Sequence, residues 1–162
     1  MAEDHIYEGF CKIKAAGPLT GTIRIPGDKS ISHRAVMLSA LADGESVING
    51  FLESADCIAT LKAFNSLGID FYYQDENLHI QGKGINGLHE PEHILDMENS
   101  GTGARLMLGI LAGQPFSTIL TGDSSLRKRP MGRVTDPLSK MGAAFIGREY
   151  GTKLPMAIQG GN

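Results

Sequence analysis

The chain has 162 residues, 41% of them apolar and 20% charged, and a formal net charge of -3. That make-up suits one soluble globular domain with a buried core and lacks the spread excess of Lys and Arg that a nucleic-acid surface needs. No run of about 18 apolar residues is present to span a bilayer.

The polar start Met1-Ala2-Glu3-Asp4-His5 does not read as an export signal, and Cys11 and Cys57 show no CxxC spacing, so a reduced, cytoplasmic setting is expected. A first strand is predicted over residues 22–25. Pro26-Gly27-Asp28-Lys29-Ser30-Ile31-Ser32-His33-Arg34 then sets a lysine, two hydroxyls and an arginine on a glycine-led turn that opens a helix over 32–42. A strand over 46–49, a helix over 56–67 and strands over 71–73 and 78–81 follow. In the second helix Cys57, Leu61 and Phe64 share one face, and Gly68 is placed to take the left-handed conformation that ends a helix. Asp56, before that helix, reads as a cap.

His89-Glu90-Pro91-Glu92-His93 has the look of a metal-ligand run, but Pro91 breaks the helix that would align both histidines, which leaves a surface loop. Asn99-Ser100-Gly101-Thr102-Gly103-Ala104-Arg105 repeats the order of small polar turn, helix start and arginine. Ser100 or Asn99 caps a helix running to Leu111, and a strand over 116–121 follows. Arg127-Lys128-Arg129-Pro130 is a third cationic segment, with Pro130 read as a first helical residue. Pro137 must kink or restart the next helix, whose inward face is Val134, Leu138 and Met141. Cys57 and the methionines read as core filler.

An internal repeat organises these elements. Residues 34–44 match 105–113 as an arginine-led helix closed by glycine, and Val47-Ile48-Asn49-Gly50 answers Ile119-Leu120-Thr121-Gly122. Phe64-Asn65-Ser66-Leu67-Gly68 answers Leu138-Ser139-Lys140-Met141-Gly142, and Ile80-Gln81-Gly82 recurs as Ile158-Gln159-Gly160. The offset drifts from 71 to 78 residues, which means small loop insertions in the second copy. Each copy reads as strand, helix, strand, helix and a pair of strands, an α/β repeat architecture.

Seven of the 15 Lys and Arg residues, Lys29, Arg34, Arg105, Arg127, Lys128, Arg129 and Arg133, fall in the three cationic segments, which suits a small ligand with more than one negative group. Helix amino ends at 29–32 and 99–102 offer free N–H groups and a partial positive charge for a phosphate or carboxylate. Lys29 adds a compact cation, Ser30 a neutral donor and Arg34 a planar fork. Gly101 lets backbone approach ligand closely, and Arg129 before the stiff Pro130 can grip a second anion. Singly, these features have plainer readings: Arg34 and Arg105 as surface cations or ion-pair partners, Asn99 and Ser100 as caps, residues 127–129 as a solvated charge run. A P-loop is excluded by pattern, because Asp28 stands where that motif needs glycine directly before lysine.

Taken together, the segments 26–34, 99–105 and Leu120-Thr121-Gly122-Asp123 with Arg127-Lys128-Arg129-Pro130-Met131 closely resemble the 5-enolpyruvylshikimate-3-phosphate synthase family, from about Gly17 to Asn162. The resemblance implies a transferase that joins shikimate 3-phosphate to the enolpyruvyl group of phosphoenolpyruvate and releases phosphate, without a cofactor or metal. It implies that Lys29, Ser30 and Arg34 bind shikimate 3-phosphate, that Lys29, Gly101 and Arg129 bind phosphoenolpyruvate, and that Lys29 is catalytic. Gly101 falls where a methyl in some members hinders glyphosate, so glyphosate sensitivity is expected. The sibling family that moves enolpyruvyl onto a UDP-sugar is fitted less well by Lys29-Ser30 followed by Arg34.

The resemblance also implies an inverse β/α barrel fold of two domains, each of three βαβαββ units, and two units are legible here, at about 27–84 and 95–160. Residues 1–26 resemble the segment and strand that cross to the second domain, and 27–162 a partial first domain. The expectation is therefore an amino-terminal fragment, inactive alone, whose partners are the two small substrates and the missing carboxy-terminal portion, within an enzyme that is otherwise monomeric. Two alternatives stay open: a non-catalytic fragment that holds shikimate 3-phosphate or another anion, and a transferase acting on a UDP-sugar. The end of the second copy is expected to expose apolar surface. Leu106 stands where many members have proline and alters nothing in the assignment.

Overall fold

Asp28 and Ser100 begin corresponding helices in two successive α/β units. The structure, a computed structural model, describes residues 17–160; Cys11 and the rest of residues 1–16 lie outside it, with Gly161 and Asn162. The first unit runs α1 (Lys29–Leu41), β1 (Asp43–Ile48), α2 (Ala55–Ser66), β2 (Asp70–Gln74) and β3 (Asn77–Lys83). The second runs β4 (Leu95–Asp96), α3 (Gly101–Leu111), β5 (Ser117–Thr121), a 3-10 turn (Leu126–Lys128), α4 (Gly132–Lys140), β6 (Ala144–Gly147), the one-turn segment α5 (Arg148–Gly151) and β7 (Lys153–Gln159).

Three of the helices start at a capping side chain. Asp28 accepts the Ile31 N–H at 2.8 Å, Ser54 accepts from Cys57 at the start of α2, and Ser100 accepts the Gly103 N–H at 3.1 Å. Each cap satisfies one orphan donor and leaves the earliest helical N–H groups free. Gly68, at φ 91°, ends the α2 region as its sequence position predicts.

The sheets repeat as the helices do. The first has order β1-β3-β2 and the second β4-β5-β7-β6, so β1, β3 and β2 correspond to β5, β7 and β6. Both β3 and β7 are central, antiparallel to their neighbours, and bury alternate residues: Leu78 and Ile80 in one, Leu154, Met156 and Ile158 in the other. These side chains meet Val36 and Met37 of α1, Leu61 and Phe64 of α2, and Met107 and Leu108 of α3 in one apolar core. At the end of each central strand a glycine presses on the end of a helix. A Cβ at Gly82 would lie 2.2 Å from the Ser39 carbonyl oxygen, and one at Gly160 would lie 1.9 Å from that of Gln114.

Three sequence expectations change, and a fourth, a kink or a restart at Pro137, loses one of its two outcomes. Residues 22–25 are exposed and pair with no strand among the described residues, because a chain segment with strand-forming side chains still needs a neighbouring backbone to make a ladder. Pro130 is not the first residue of a helix: Arg129 before it is extended (φ -74°, ψ 137°), the Met131 N–H bonds the Thr152 carbonyl, and α4 begins at Gly132. Helix α4 continues through Pro137 as one element and does not restart. Met141 leaves the inward face predicted for it, being 76% exposed at the carboxy end of α4, whereas Val134 and Leu138 stay half-buried and Thr135 is the residue α4 buries fully.

Candidate active site

The packing of α1, α2 and α3 gathers their amino ends. His33, one turn into α1 and fully buried, lies within hydrogen-bond reach of Thr60 on α2, at 2.8 Å from Nδ1 to Oγ1, and of the α3 cap Ser100, at 3.4 Å from Nε2 to Oγ. Lys29 and Asp56 join the first turns of α1 and α2, and His33, one turn further in, reaches the cap of α3, so the amino ends of the three helices are neighbours.

Lys29 stands at the α1 end. Its Nζ donates to Asp56 Oδ2 at 2.7 Å, with the lysine half exposed and the carboxylate three-quarters covered. The hydrogen bond and then the charge of Asp56 raise the Lys29 pKa, against a smaller opposing push from Arg129. Lys29 is therefore a cation at neutral pH, and Arg129 is close enough to repel it. Ser30 lies exposed in the same turn, and Arg34, also exposed, folds back so that its guanidinium donates to the Ser30 carbonyl at 3.0 Å. Ser32, the second hydroxyl of the segment, is buried and accepts the Leu52 N–H, which makes it a strut for the loop before α2.

Gly101 and Arg129 meet at the α3 end. A Cβ on Gly101 would lie 2.7 Å from Arg129 Nη1, so the absent side chain is what admits the guanidinium. Arg129 Nη2 donates to Asn99 Oδ1 at 2.6 Å, and Asn99 Nδ2 donates in turn to Asp123 Oδ2 at 2.6 Å. Asp123 also accepts the Leu126 N–H at 2.7 Å; that backbone bond, and next the Asn99 amide, hold its carboxyl below the usual range. The chain Asp123–Asn99–Arg129 thus braces a half-buried arginine beside a free helix end. Of the rest of that cationic segment, Arg127 and Lys128 are exposed and solvated.

Arg105 repeats the Arg34 geometry and then departs from it. Its Nη1 donates to the carbonyl four residues back, Gly101, at 3.1 Å, as Arg34 does to Ser30, but its Nη2 also donates to the Pro130 carbonyl at 3.0 Å. Burial, then Arg133 and Arg129, lower its pKa. Arg105 is a clamp between α3 and the segment carrying Arg129.

The five residues expected from the sequence, Lys29, Ser30, Arg34, Gly101 and Arg129, thus lie at two adjoining helix ends on an open face. A cleft of about 680 Å³ lies elsewhere, lined by Arg24, Ile25, Gly27, Phe51, Tyr73 and Asp75 among others, and takes in none of the five. Sequence reasoning passed over the bracing groups. Asp56 looks like a helix cap, although Ser54 performs the capping, and Asn99, Asp123, His33 and Thr60 carry no sign of a partner until the chain is folded. The one available signal was Asp56 and Thr60 at helical spacing behind Ser54. Among the described residues no cluster of His, Cys, Asp and Glu is set to hold a metal ion, and no helix is long and apolar enough to cross a membrane.

Residues 13–162 match the family model described as EPSP synthase (3-phosphoshikimate 1-carboxyvinyltransferase). The chain is 56% identical over 144 residues to a 3-phosphoshikimate 1-carboxyvinyltransferase of Pelotomaculum thermopropionicum, covering 88% of this chain and 33% of the relative. It is 57% identical over 143 residues to the enzyme of that name from Geobacillus thermodenitrificans, with the same coverage. Among solved structures it resembles an EPSP synthase from Acinetobacter baumannii with a TM-score of 0.81 and 45% identity, over 87% of this chain and 32% of that one. The chain spans about a third of the length of the relatives it matches.

Proposed function

The chain belongs to the EPSP synthase (3-phosphoshikimate 1-carboxyvinyltransferase) family, and from that premise we propose that its residues serve the transfer of the enolpyruvyl group of phosphoenolpyruvate to shikimate 3-phosphate. The observation that carries the reading is the adjoining pair of cationic helix ends, one bearing Lys29, Ser30 and Arg34 and the other Gly101 and Arg129. Two small polyanions held side by side need such an arrangement, because their mutual repulsion has to be offset by fixed positive groups.

In this reading Lys29, Ser30 and Arg34 take the phosphate and ring of shikimate 3-phosphate, while Gly101 and Arg129 take phosphoenolpyruvate, with Lys29 between them. The ring hydroxyl oxygen bonds to the enol carbon and a proton reaches the methylene carbon, giving a tetrahedral intermediate. Breaking the carbon–oxygen bond to phosphate, with loss of a methyl proton, then yields the enol ether. Lys29, kept protonated by Asp56, stabilises anionic charge or delivers a proton; it does not start as a base. The half-buried fork of Arg129, braced by Asn99, suits bidentate capture of a carboxylate or phosphate. The remaining anion-binding and acid–base groups belong to the portion of the family's length beyond this chain. We assign the reaction to the cytoplasm and the complete enzyme to a monomer; the buried free thiol of Cys57 is in keeping with a reducing compartment.

A second reading is favoured by the openness of the site: alone, these residues hold shikimate 3-phosphate without turnover. Phosphate release with both substrates tests the pair. It is measured on the full-length gene product, and on residues 1–162 with and without a complementing carboxy-terminal fragment. Release by the full-length product and by the complemented fragment is expected. No release by the full-length product refutes the transfer, and release by residues 1–162 alone refutes the division of labour.

A further inference from the structure

We propose that His33 is a positioning residue: as the neutral Nδ1–H tautomer it orients Ser100, and through it fixes the amino end of α3 against the Lys29–Asp56 pair. The proposal rests on the transferase reading of the two helix ends and concerns what holds them in register.

The tautomer follows from one self-consistent assignment of the hydrogen bonds. Thr60 Oγ1 lies 3.3 Å from the Asp56 carbonyl and 2.8 Å from His33 Nδ1, and in the proposed arrangement it donates to the carbonyl and accepts from the ring. The ring proton is then on Nδ1, and Nε2 is an acceptor. On that side Ser100 Oγ accepts the Gly103 N–H at 3.1 Å and turns its own proton to Nε2 at 3.4 Å. Each donor in the series from Gly103 through Ser100, His33 and Thr60 to Asp56 meets one acceptor, and none is left over. His33, Thr60 and Ser100 are all fully buried, so the bonds are not exchanged with water. A Cβ on Gly103 would lie 2.6 Å from Ser100 Oγ and 2.7 Å from Thr60 Oγ1, so the two hydroxyls fill the space a larger residue would take.

The charged groups acting on the ring are Asp56 from α2 and Lys29 and Arg34 from α1, while α3 presents the neutral Ser100 hydroxyl. Burial is the largest influence and opposes a charged imidazole, in agreement with a neutral ring carrying one proton.

The series connects two functions. At one end is the backbone carbonyl of Asp56, the residue whose carboxylate holds Lys29; at the other is the cap of the helix that starts with Gly101. Shortening or losing the imidazole would free Ser100 to turn, and the first N–H groups of α3 would no longer point at a fixed place relative to Lys29. The bond to Nε2 is the longest of the series and is the one to tighten when an anion draws the α3 amino end inward.

The test uses the full-length gene product and two variants, His33→Asn and His33→Ala. In 15N-labelled wild type, the His33 ring is expected as the Nδ1–H tautomer, with its Nε2 resonance moving upfield on addition of phosphoenolpyruvate in the presence of shikimate 3-phosphate. His33→Ala is expected to raise the KM for phosphoenolpyruvate about tenfold, the worth of one lost hydrogen bond, and more than it changes kcat or the KM for shikimate 3-phosphate. Asn, whose amide takes the place of Nδ1 and can donate to Thr60 but stops short of the Nε2 position that meets Ser100, is expected to show the same loss as Ala. An Nε2–H tautomer overturns the proposal. So does an Nε2 resonance that ignores phosphoenolpyruvate, or a recovery by Asn of what Ala loses. If His33→Ala does not fold, the tautomer and the Nε2 response decide the matter. If wild type shows no turnover, the transferase reading fails, while the tautomer assignment is still decided by the spectrum without substrates.

Discussion

Lys29 Nζ sits 2.7 Å from Asp56 Oδ2, joining the first turns of two helices across 27 positions of sequence. The carboxylate keeps the lysine charged and points it along one direction. Replacing Asp56 by Asn removes both of the larger influences that raise the Lys29 pKa, so that value moves down towards the ordinary 10.5. In the full-length enzyme the alkaline limb of the pH–rate profile then shifts to lower pH, and kcat/KM at neutral pH drops about tenfold or more. Lys29→Ala, which removes the group itself, lowers kcat by about a hundredfold or more. A profile for Asp56→Asn that superimposes on wild type would show the pair to be incidental.

At Gly101 the expected effect is selective. An alanine methyl there meets Arg129 Nη1 at 2.7 Å and Arg105 Nη1 at 3.1 Å, and the guanidinium that gives way is the one held by Asn99. Gly101→Ala should raise the KM for phosphoenolpyruvate about tenfold while moving that for shikimate 3-phosphate by no more than about twofold. With Gly101 intact, glyphosate should compete with phosphoenolpyruvate, and the methyl should weaken that competition. Inhibition that does not compete with phosphoenolpyruvate would contradict the placement of this glycine.

Acid should destabilise the fold through His33. Its folded pKa is lowered from the ordinary 6.5, chiefly by burial, so below that value the unfolded chain takes up a proton that the folded chain resists. Stability is therefore full above the ordinary pKa and declines as pH falls from there towards the depressed one. Urea midpoints taken between about pH 7.5 and pH 5.5 should fall for wild type by more than for His33→Asn, which cannot titrate in that range. Parallel declines would assign the acid sensitivity to other groups.

The β2–β3 hairpin should be improvable. Its turn places Asp75 and Glu76 at φ 49° and 63°, a left-handed pair of the kind that Asn-Gly fills most easily. Replacing Glu76 by Gly removes the clash of a Cβ with its own backbone and should stabilise the chain by roughly 0.5–1 kcal/mol, read as a higher urea midpoint. A lower midpoint would mean that the Glu76 side chain makes up for its own strain.

Helix starts and glycine stops were legible because both are local: a small polar residue before an apolar stripe, and a glycine where the chain turns back. The repeat was legible because matched elements keep their order. The side chains of residues 22–25 alone predict a strand, and a strand is a property of two chain segments. The fixed φ of Pro130 predicts a helix start, whereas the Met131 N–H is claimed by the Thr152 carbonyl just before β7, which delays α4 to Gly132. In the site, cations and glycines announced themselves by type and position. Their braces did not: Asp56 reaches Lys29, Asn99 reaches Arg129 and His33 reaches Ser100 only after three helices pack, and no spacing rule foretells such meetings.

Gly82 and Gly160 have a consequence far from where they sit. Gly82 lets β3 touch α1 at Ser39, near its carboxy end, and Gly160 lets the chain after β7 touch Gln114, three residues beyond α3, so each unit closes on its helix at the end away from the helix start. A side chain at either position would meet backbone and force strand and helix apart, and the helix that shifts is the one carrying Lys29 or Gly101 at its other end.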